Sequence, residues 1–120
     1  MNKKTLVLGA SMNPERFSYQ AVRKLKFNNI PVVAVGLREG EIAGVHLDKP
    51  FPKFDGIHTV TLYIGPKNLP PFYEYILGLK PRRVIFNPGT ENPEFALMLK
   101  QAEIEVVHGC TLIMLTNHLY

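Results

Sequence analysis

"LVLGASMNPERFSYQAV", residues 6–22, decides the fold. A short apolar strand runs into Gly9, a loop follows, and Ser18 opens a segment with helical spacing. Phosphate-binding βα units begin in this way, with the loop lying at the start of the helix. The Gly-x-Gly-x-x-Gly of a dinucleotide turn does not follow, because the second and third glycines are missing. Two readings of the loop stand side by side. In one, Gly9 ends a strand, Ser18 caps a helix and Arg16 is a solvated charge. In the other, amides around Ser11 to Ser18 cradle a diphosphate, and Arg16 or Ser18 adds a side-chain contact.

Outward from this unit, four more runs read as strands: Val32–Val35, Thr59–Leu62, Arg83–Phe86 and Glu105–Val107, after Thr5–Leu8. They are β-branched or continuously apolar rather than alternating, which suits parallel strands buried on both faces. Helices are expected between them. Ser18 to Asn28 carries Ala21, Val22 and Leu25 on one face and ends at Asn28-Asn29 before Pro31. A second spans about Asn68 to Gly78. A third runs from Pro93 to Ala102, with Asn92 as N-cap and Glu94 at the positive end. A last short one covers about Thr111 to Asn117. The stretch from Leu37 to His58, rich in Gly, Pro and charge, reads as an irregular crossover. Right-handed connections then give a single α/β domain over residues 1–120. It is a doubly wound, Rossmann-like parallel sheet of five strands, order 3-2-1-4-5, with helices on both faces.

Composition narrows the function. With 120 residues, 46% hydrophobic and 20% charged, the chain has the balance of one globular domain. No run approaches the roughly 20 apolar residues of a membrane span. The apolar part of "MNKKTLVLGAS" is too short for a secretion signal, so a cytoplasmic location is expected. The formal charge of +4 suits an anionic partner, but the cations are scattered and no aromatic-basic motif accompanies them, which disfavours nucleic acid. One cysteine, Cys110, excludes an internal disulfide. His46, His58 and His118 share no metal-ligand spacing.

In an open α/β sheet, ligands bind beyond the carboxyl ends of the strands. Those ends here collect Gly9, Ser11, Arg16, Ser18, Gly36, Arg38, Asn87, Gly89, Thr90 and Glu91. Small residues admit a ligand to the backbone, and helix-start amides favour phosphate oxygens. A carboxylate at the end of the second strand would mark NAD, but Gly36-Leu37-Arg38 stands there. A cation in that place favours a phosphorylated ribose, that of coenzyme A (CoA) or of NADP.

His108-Gly109-Cys110-Thr111 places a thiol beside an imidazole at a helix start, the setting of a nucleophile. Packing explains the cysteine equally well. "PFPKFDG", residues 50–56, reads as a stiff surface loop, and Phe51, Phe54, Phe72 and Tyr73 serve either the core or a homodimer contact.

Five segments together resemble a known family. They are "VLGAS-x-x-P-x-R-x-S" at Val7 to Ser18, "NNIPVVAVG" at Asn28 to Gly36 and "EIAGV" at Glu41 to Val45. "FNPGTENPEF" at Phe86 to Phe95 and "IEVVHGCTLIML" at Ile104 to Leu115 follow. In this order they are similar to the small CoA-binding domain proteins, relatives of the nucleotide-binding module of succinyl-CoA synthetase α-chains. The resemblance implies a site for the 3′-phospho-ADP part of CoA. The diphosphate would lie on Gly9, Ala10, Ser11, Arg16 and Ser18, and the adenosine across Gly36, Leu37 and Arg38. Arg38 would meet the 3′-phosphate, and Tyr63 and Ile64 would pack on the adenine or ribose. Asn87, Pro88 and Gly89 would border the pantetheine path.

The chain departs from the family where Gly36-Leu37-Arg38 replaces an Asn-Pro pair, and where Ala102-Glu103 replaces a helix-ending glycine. It also lacks the second domain of the synthetase, so ligase chemistry is not expected. The expected function is binding of CoA or an acyl-CoA, with no catalytic residues of its own. The alternatives are a small NAD(P)-dependent or CoA-redox enzyme using Cys110, and a nucleotide-binding subunit for a partner acyl-CoA enzyme.

Overall fold

The computed structural model describes residues 2–120. In chain order it comprises β1 (Thr5–Ala10), α1 (Phe17–Phe27), β2 (Val32–Gly36), β3 (Gly40–Ile42), β4 (Val45–Asp48) and β5 (Thr59–Leu62). A 3-10 turn (Pro70–Phe72) leads into α2 (Tyr73–Leu79), followed by β6 (Arg83–Phe86), α3 (Pro93–Gln101), β7 (Glu105–His108) and α4 (Thr111–Thr116). All strands join one sheet in the order β3-β4-β2-β1-β5-β6-β7. Among the described residues no helix is long and apolar enough to cross a membrane.

The fold is α/β and Rossmann-like, but the strand order expected from the sequence needs correction. Thr59–Leu62 does not lie outside β2; it pairs parallel with β1, Thr5 opposite Thr59 and Leu8 opposite Leu62. The place beside β2 belongs to β4, which runs parallel to it with Ala34 opposite Leu47. Counted with β4, the parallel strands run 3-2-1-4-5-6, and the order reverses between β1 and β5. β3 folds back antiparallel on β4 at the edge, so the sheet is mixed. The stretch expected to be irregular thus contains two strands. Val45 and Leu47 are buried while His46 is exposed, a half-covered alternation in a segment only four residues long.

Both faces of the sheet are covered. Leu6 and Leu8 of β1 point to the layer holding Phe72, Ile76, Phe95 and Leu99. Val7 and Ala10 point to the layer holding Val22, Leu25 and Leu115. Burying one such side chain stabilises by roughly 1.5–3 kcal/mol. That burial, rather than propensity, holds α2 and α4, whose 7 and 6 residues are too few for an isolated helix.

The helix ends follow their local chemistry. Asn92 caps α3 by accepting the Phe95 amide at 3.0 Å, with Pro93 next in line. α1 ends through Asn29 in the left-handed region (φ 59°), and Ile30 N–H returns to the Leu25 carbonyl at 3.0 Å. α3 ends in the same way, but with Glu103 in the left-handed place (φ 62°). This explains why a glycine suits that position.

Between β4 and β5 an extended strap replaces the crossover helix. It buries Ile57 and half-buries Phe54. Phe51 packs on Phe72 and Tyr75, with ring centroids 5.1 and 5.3 Å apart. The Tyr75 hydroxyl donates to the Pro52 carbonyl at 2.5 Å. Phe72 and Tyr73 therefore belong to the core, while Phe51 stays half exposed.

Candidate functional site

Two glycines let the strand ends converge. At Gly9 the β1–β2 register shifts and φ is +94°. A Cβ there would stand 2.7 Å from Ile64 Cγ1 and 2.8 Å from the Tyr63 carbonyl oxygen. A Cβ on Gly36 would stand 2.3 Å from the Ala10 carbonyl oxygen. Only residues without a side chain bring β1, β2 and β5 this close at the point where the strand order reverses.

The loop after β1 braces itself. Ser11 Oγ accepts from the Asn13 amide at 3.1 Å, Asn13 Oδ1 from the Glu15 amide at 3.0 Å, and the Arg16 amide donates to the Asn13 carbonyl at 3.0 Å. α1 starts one residue before the expected position. Arg16 holds the cap position and makes no side-chain cap bond, while Ser18 is buried in the first turn. Ser18 is therefore not the capping residue. With no side-chain cap, the first-turn amides keep their capacity for a ligand's oxygen atoms.

Around this point opens a cleft of about 1110 Å³. The first loop supplies Gly9, Ala10, Ser11, Arg16 and Ser18; the end of β2 supplies Gly36, Leu37 and Arg38. Tyr63 and Ile64 come from beyond β5, and Pro88 and Gly89 from beyond β6. Twelve of the thirteen residues expected at the ligand thus line one cavity.

Asn87 does not line it. Its side chain is spent inside the protein, donating to Thr61 Oγ1 at 2.6 Å and to the Leu62 carbonyl at 2.8 Å. It also accepts the Thr111 amide at 2.9 Å. Its carbonyl takes the Thr90 amide and hydroxyl, at 3.0 and 2.8 Å. Asn87 joins two cleft walls to α4 from behind. Cys110 is also outside the lining; it is half-buried at the start of α4. His108 stacks on Phe86, centroids 5.2 Å apart.

Sequence reasoning missed several lining residues. Met12, Asn13 and Phe17 belong to the first loop and helix start, and Phe17 is 68% exposed. Asn68 and Phe72 were absorbed into a helix beginning near residue 68, whereas α2 begins at Tyr73. Pro66, Pro70 and Pro71 were the available signal, since prolines so spaced favour turns over a helix interior.

The charge of the cleft is one-sided. Arg16 and Arg38 line it, and the ion pair among the described residues, His46 with Asp48 at 3.2 Å, involves neither. Tyr63 lines it too, and burial pushes its phenol up to about 12. Among the described residues the enclosed Tyr63 hydroxyl has no hydrogen-bond partner; the neighbouring Thr61 and Thr111 hydroxyls are bonded to each other at 2.7 Å.

Solved structures share this architecture. One crystal structure of an uncharacterized protein is 46% identical, covers 100% of this chain and 99% of its own, and superposes with a TM-score of 0.96. A protein from Thermus thermophilus is 25% identical over 99% of this chain and 91% of its own, at a TM-score of 0.87. A hypothetical protein from Pyrococcus horikoshii, 24% identical over 98% of this chain and 84% of its own, shows the same fold at a TM-score of 0.86. No curated protein matches. The family described as CoA binding domain matches residues 3–116, which include every wall of the cleft. The chain belongs to the CoA binding domain family.

Proposed function

We propose that the protein holds CoA or an acyl-CoA in this cleft and carries out no reaction on it. The observation that carries the reading is the pair of guanidinium groups, Arg16 and Arg38, which line a cleft at the reversal of strand order and have no ion-pair partners among the described residues. The diphosphate lies on the amides of Ala10, Ser11 and the first turn of α1, with Arg16 alongside. The adenosine crosses Gly36 and Leu37, and Arg38 takes the 3′-phosphate, a compact dianion that needs a nearby cation. The pantetheine arm leaves over Pro88 and Gly89.

The titratable side chains of the lining are Arg16, Arg38 and Tyr63. A guanidinium, and a phenol pushed up to about 12, are poor general bases at neutral pH, so the lining supports holding rather than transformation.

Thermal-shift titration against CoA, acetyl-CoA, NADPH and NAD tests the reading. CoA and acetyl-CoA should both raise the melting temperature. Stabilisation by NAD or NADPH alone would overturn it. Native mass spectrometry of freshly purified protein would identify any retained acyl form.

A further inference from the structure

Beyond the Ala10–Gly36 pair, no hydrogen bond among the described residues joins residues 11–16 of the first loop to residues 37–40 after β2. The Met12 side chain makes the connection instead. Its sulfur lies where a Cβ on Gly40 would be, and such a Cβ would also stand 2.7 Å from the Met12 Cε methyl. Glycine at position 40 thus gives the thioether a seat on the main chain. Ser11 precedes Met12, and Arg38 lies two residues before Gly40. The contact therefore sets the spacing between the loop assigned to the diphosphate and the guanidinium assigned to the 3′-phosphate.

The Met12 side chain stays open to water although its sulfur is seated. The residue is 43% exposed. Met98, by contrast, packs against the core, and Met114 is half-buried on α4. Among the described methionines, Met12 is the one a dissolved oxidant reaches first.

We propose that Met12 is an oxidation site whose modification separates the two phosphate subsites; this rests on the CoA reading above. A sulfur lone pair attacks one oxygen of a peroxide and the O–O bond breaks. The second oxygen leaves as water, taking the proton of the first. The thioether is oxidised to the sulfoxide and the peroxide is reduced. The new oxygen is polar and seeks water, whereas the seat on Gly40 holds an apolar thioether against main chain. The modified side chain leaves the seat, and Arg38 and the first loop lose their fixed spacing. A ligand that must satisfy both edges at once then loses more than a ligand that needs only one.

The test treats the full chain with dilute hydrogen peroxide and locates the added oxygen by peptide mass mapping. Met12 should be oxidised ahead of Met98 and Met114. Calorimetric titration should show CoA affinity lowered on the order of fivefold, with 3′-dephospho-CoA changed much less. Methionine sulfoxide reductases should restore the CoA affinity. Gly40→Ala, which fills the seat, should narrow the preference for CoA over 3′-dephospho-CoA without any oxidant. Met12→Leu cannot take the oxygen, so its CoA affinity should be the same before and after peroxide. A Met12→Leu protein that loses affinity on treatment assigns the loss to another group, such as Cys110, and overturns the proposal. So does oxidation of Met98 or Met114 ahead of Met12, an oxidised Met12 with unchanged CoA affinity, or an equal loss for the two ligands. An unoxidised wild type that binds neither CoA nor 3′-dephospho-CoA overturns the CoA reading itself.

Discussion

Gly36 faces the Ala10 carbonyl so closely that a Cβ would come within 2.3 Å of the oxygen. The neighbouring atom is main chain inside the sheet, so it cannot swing aside as a flexible side chain would. Gly36→Ala should destabilise the fold by about 1–3 kcal/mol. It should also weaken CoA binding, because both of the loops it pushes apart line the cleft. Urea unfolding and calorimetric titration measure the two effects, and a variant as stable as the wild type would contradict the packing argument.

Arg38→Ala should weaken CoA much more than 3′-dephospho-CoA. Among the described residues the guanidinium has no ion-pair partner, so its removal should leave the melting temperature of the free protein near that of the wild type. Wild-type affinity for CoA should fall as salt rises, since the contact is partly exposed. Equal losses for the two ligands would remove Arg38 from the 3′-phosphate.

Asn87→Ala attacks the frame rather than the ligand. It strands the Thr111 amide and leaves the Leu62 carbonyl without its side-chain donor. A buried polar group left unpaired costs about 1–3 kcal/mol. A loss of about 3 kcal/mol in denaturant unfolding is expected, with CoA weakened as a consequence. Full stability with CoA binding lost would instead make Asn87 a direct ligand contact.

Glu103→Gly should raise stability. The residue sits at φ 62°, where an L side chain is strained and glycine is not. The turn is otherwise well formed, with the Ile104 amide returning to the Leu99 carbonyl at 2.9 Å. A gain of about 0.5–1 kcal/mol is expected, the strain relief being partly offset by the freedom glycine has when unfolded.

His58 should make stability depend on pH. Burial, then the charges of Arg83, Lys3 and Arg82, hold its imidazole below 6.5. The folded state therefore prefers the neutral ring, and the contribution is fully present above about 6.5. It is lost as pH falls through the lowered value, because the unfolded chain takes up the proton first. Melting curves from pH 7.5 down to about 5 should show the decline. His58→Gln should flatten it, and an unaltered slope would exonerate His58.

The sequence made five of the seven strands legible, because short apolar or β-branched runs have few alternatives in a chain of this length. It hid β3 and β4, where only Ile42, Val45 and Leu47 are buried and glycines and charges surround them. The missing β4 displaced the expected strand order, since its slot beside β2 went unfilled. Cleft residues on loops that leave a strand, such as Gly9 and Gly36, could be found from their place alone. Asn68 and Phe72 could not, because the Gly65–Asn68 turn and the 3-10 turn Pro70–Phe72 that carry them resemble the first turns of a helix. Asn87 was found for the wrong reason: its neighbours in sequence face the cleft, while its side chain turns inward to Thr61 and Thr111.

The strap between β4 and β5 has one more implication. From Phe51 to Ile57 no main-chain amide donates to a backbone carbonyl among the described residues, although Ile57 is buried in the core and Phe54 packs against it. Its attachment is by side chain, with Tyr75 and Lys4 reaching its carbonyls at 2.5 and 3.0 Å. Such a segment should trade its amide hydrogens for deuterium within seconds while its aromatic rings stay immobile. In this molecule, rapid isotope exchange in the strap would therefore signal missing hydrogen bonds, not a loosened core.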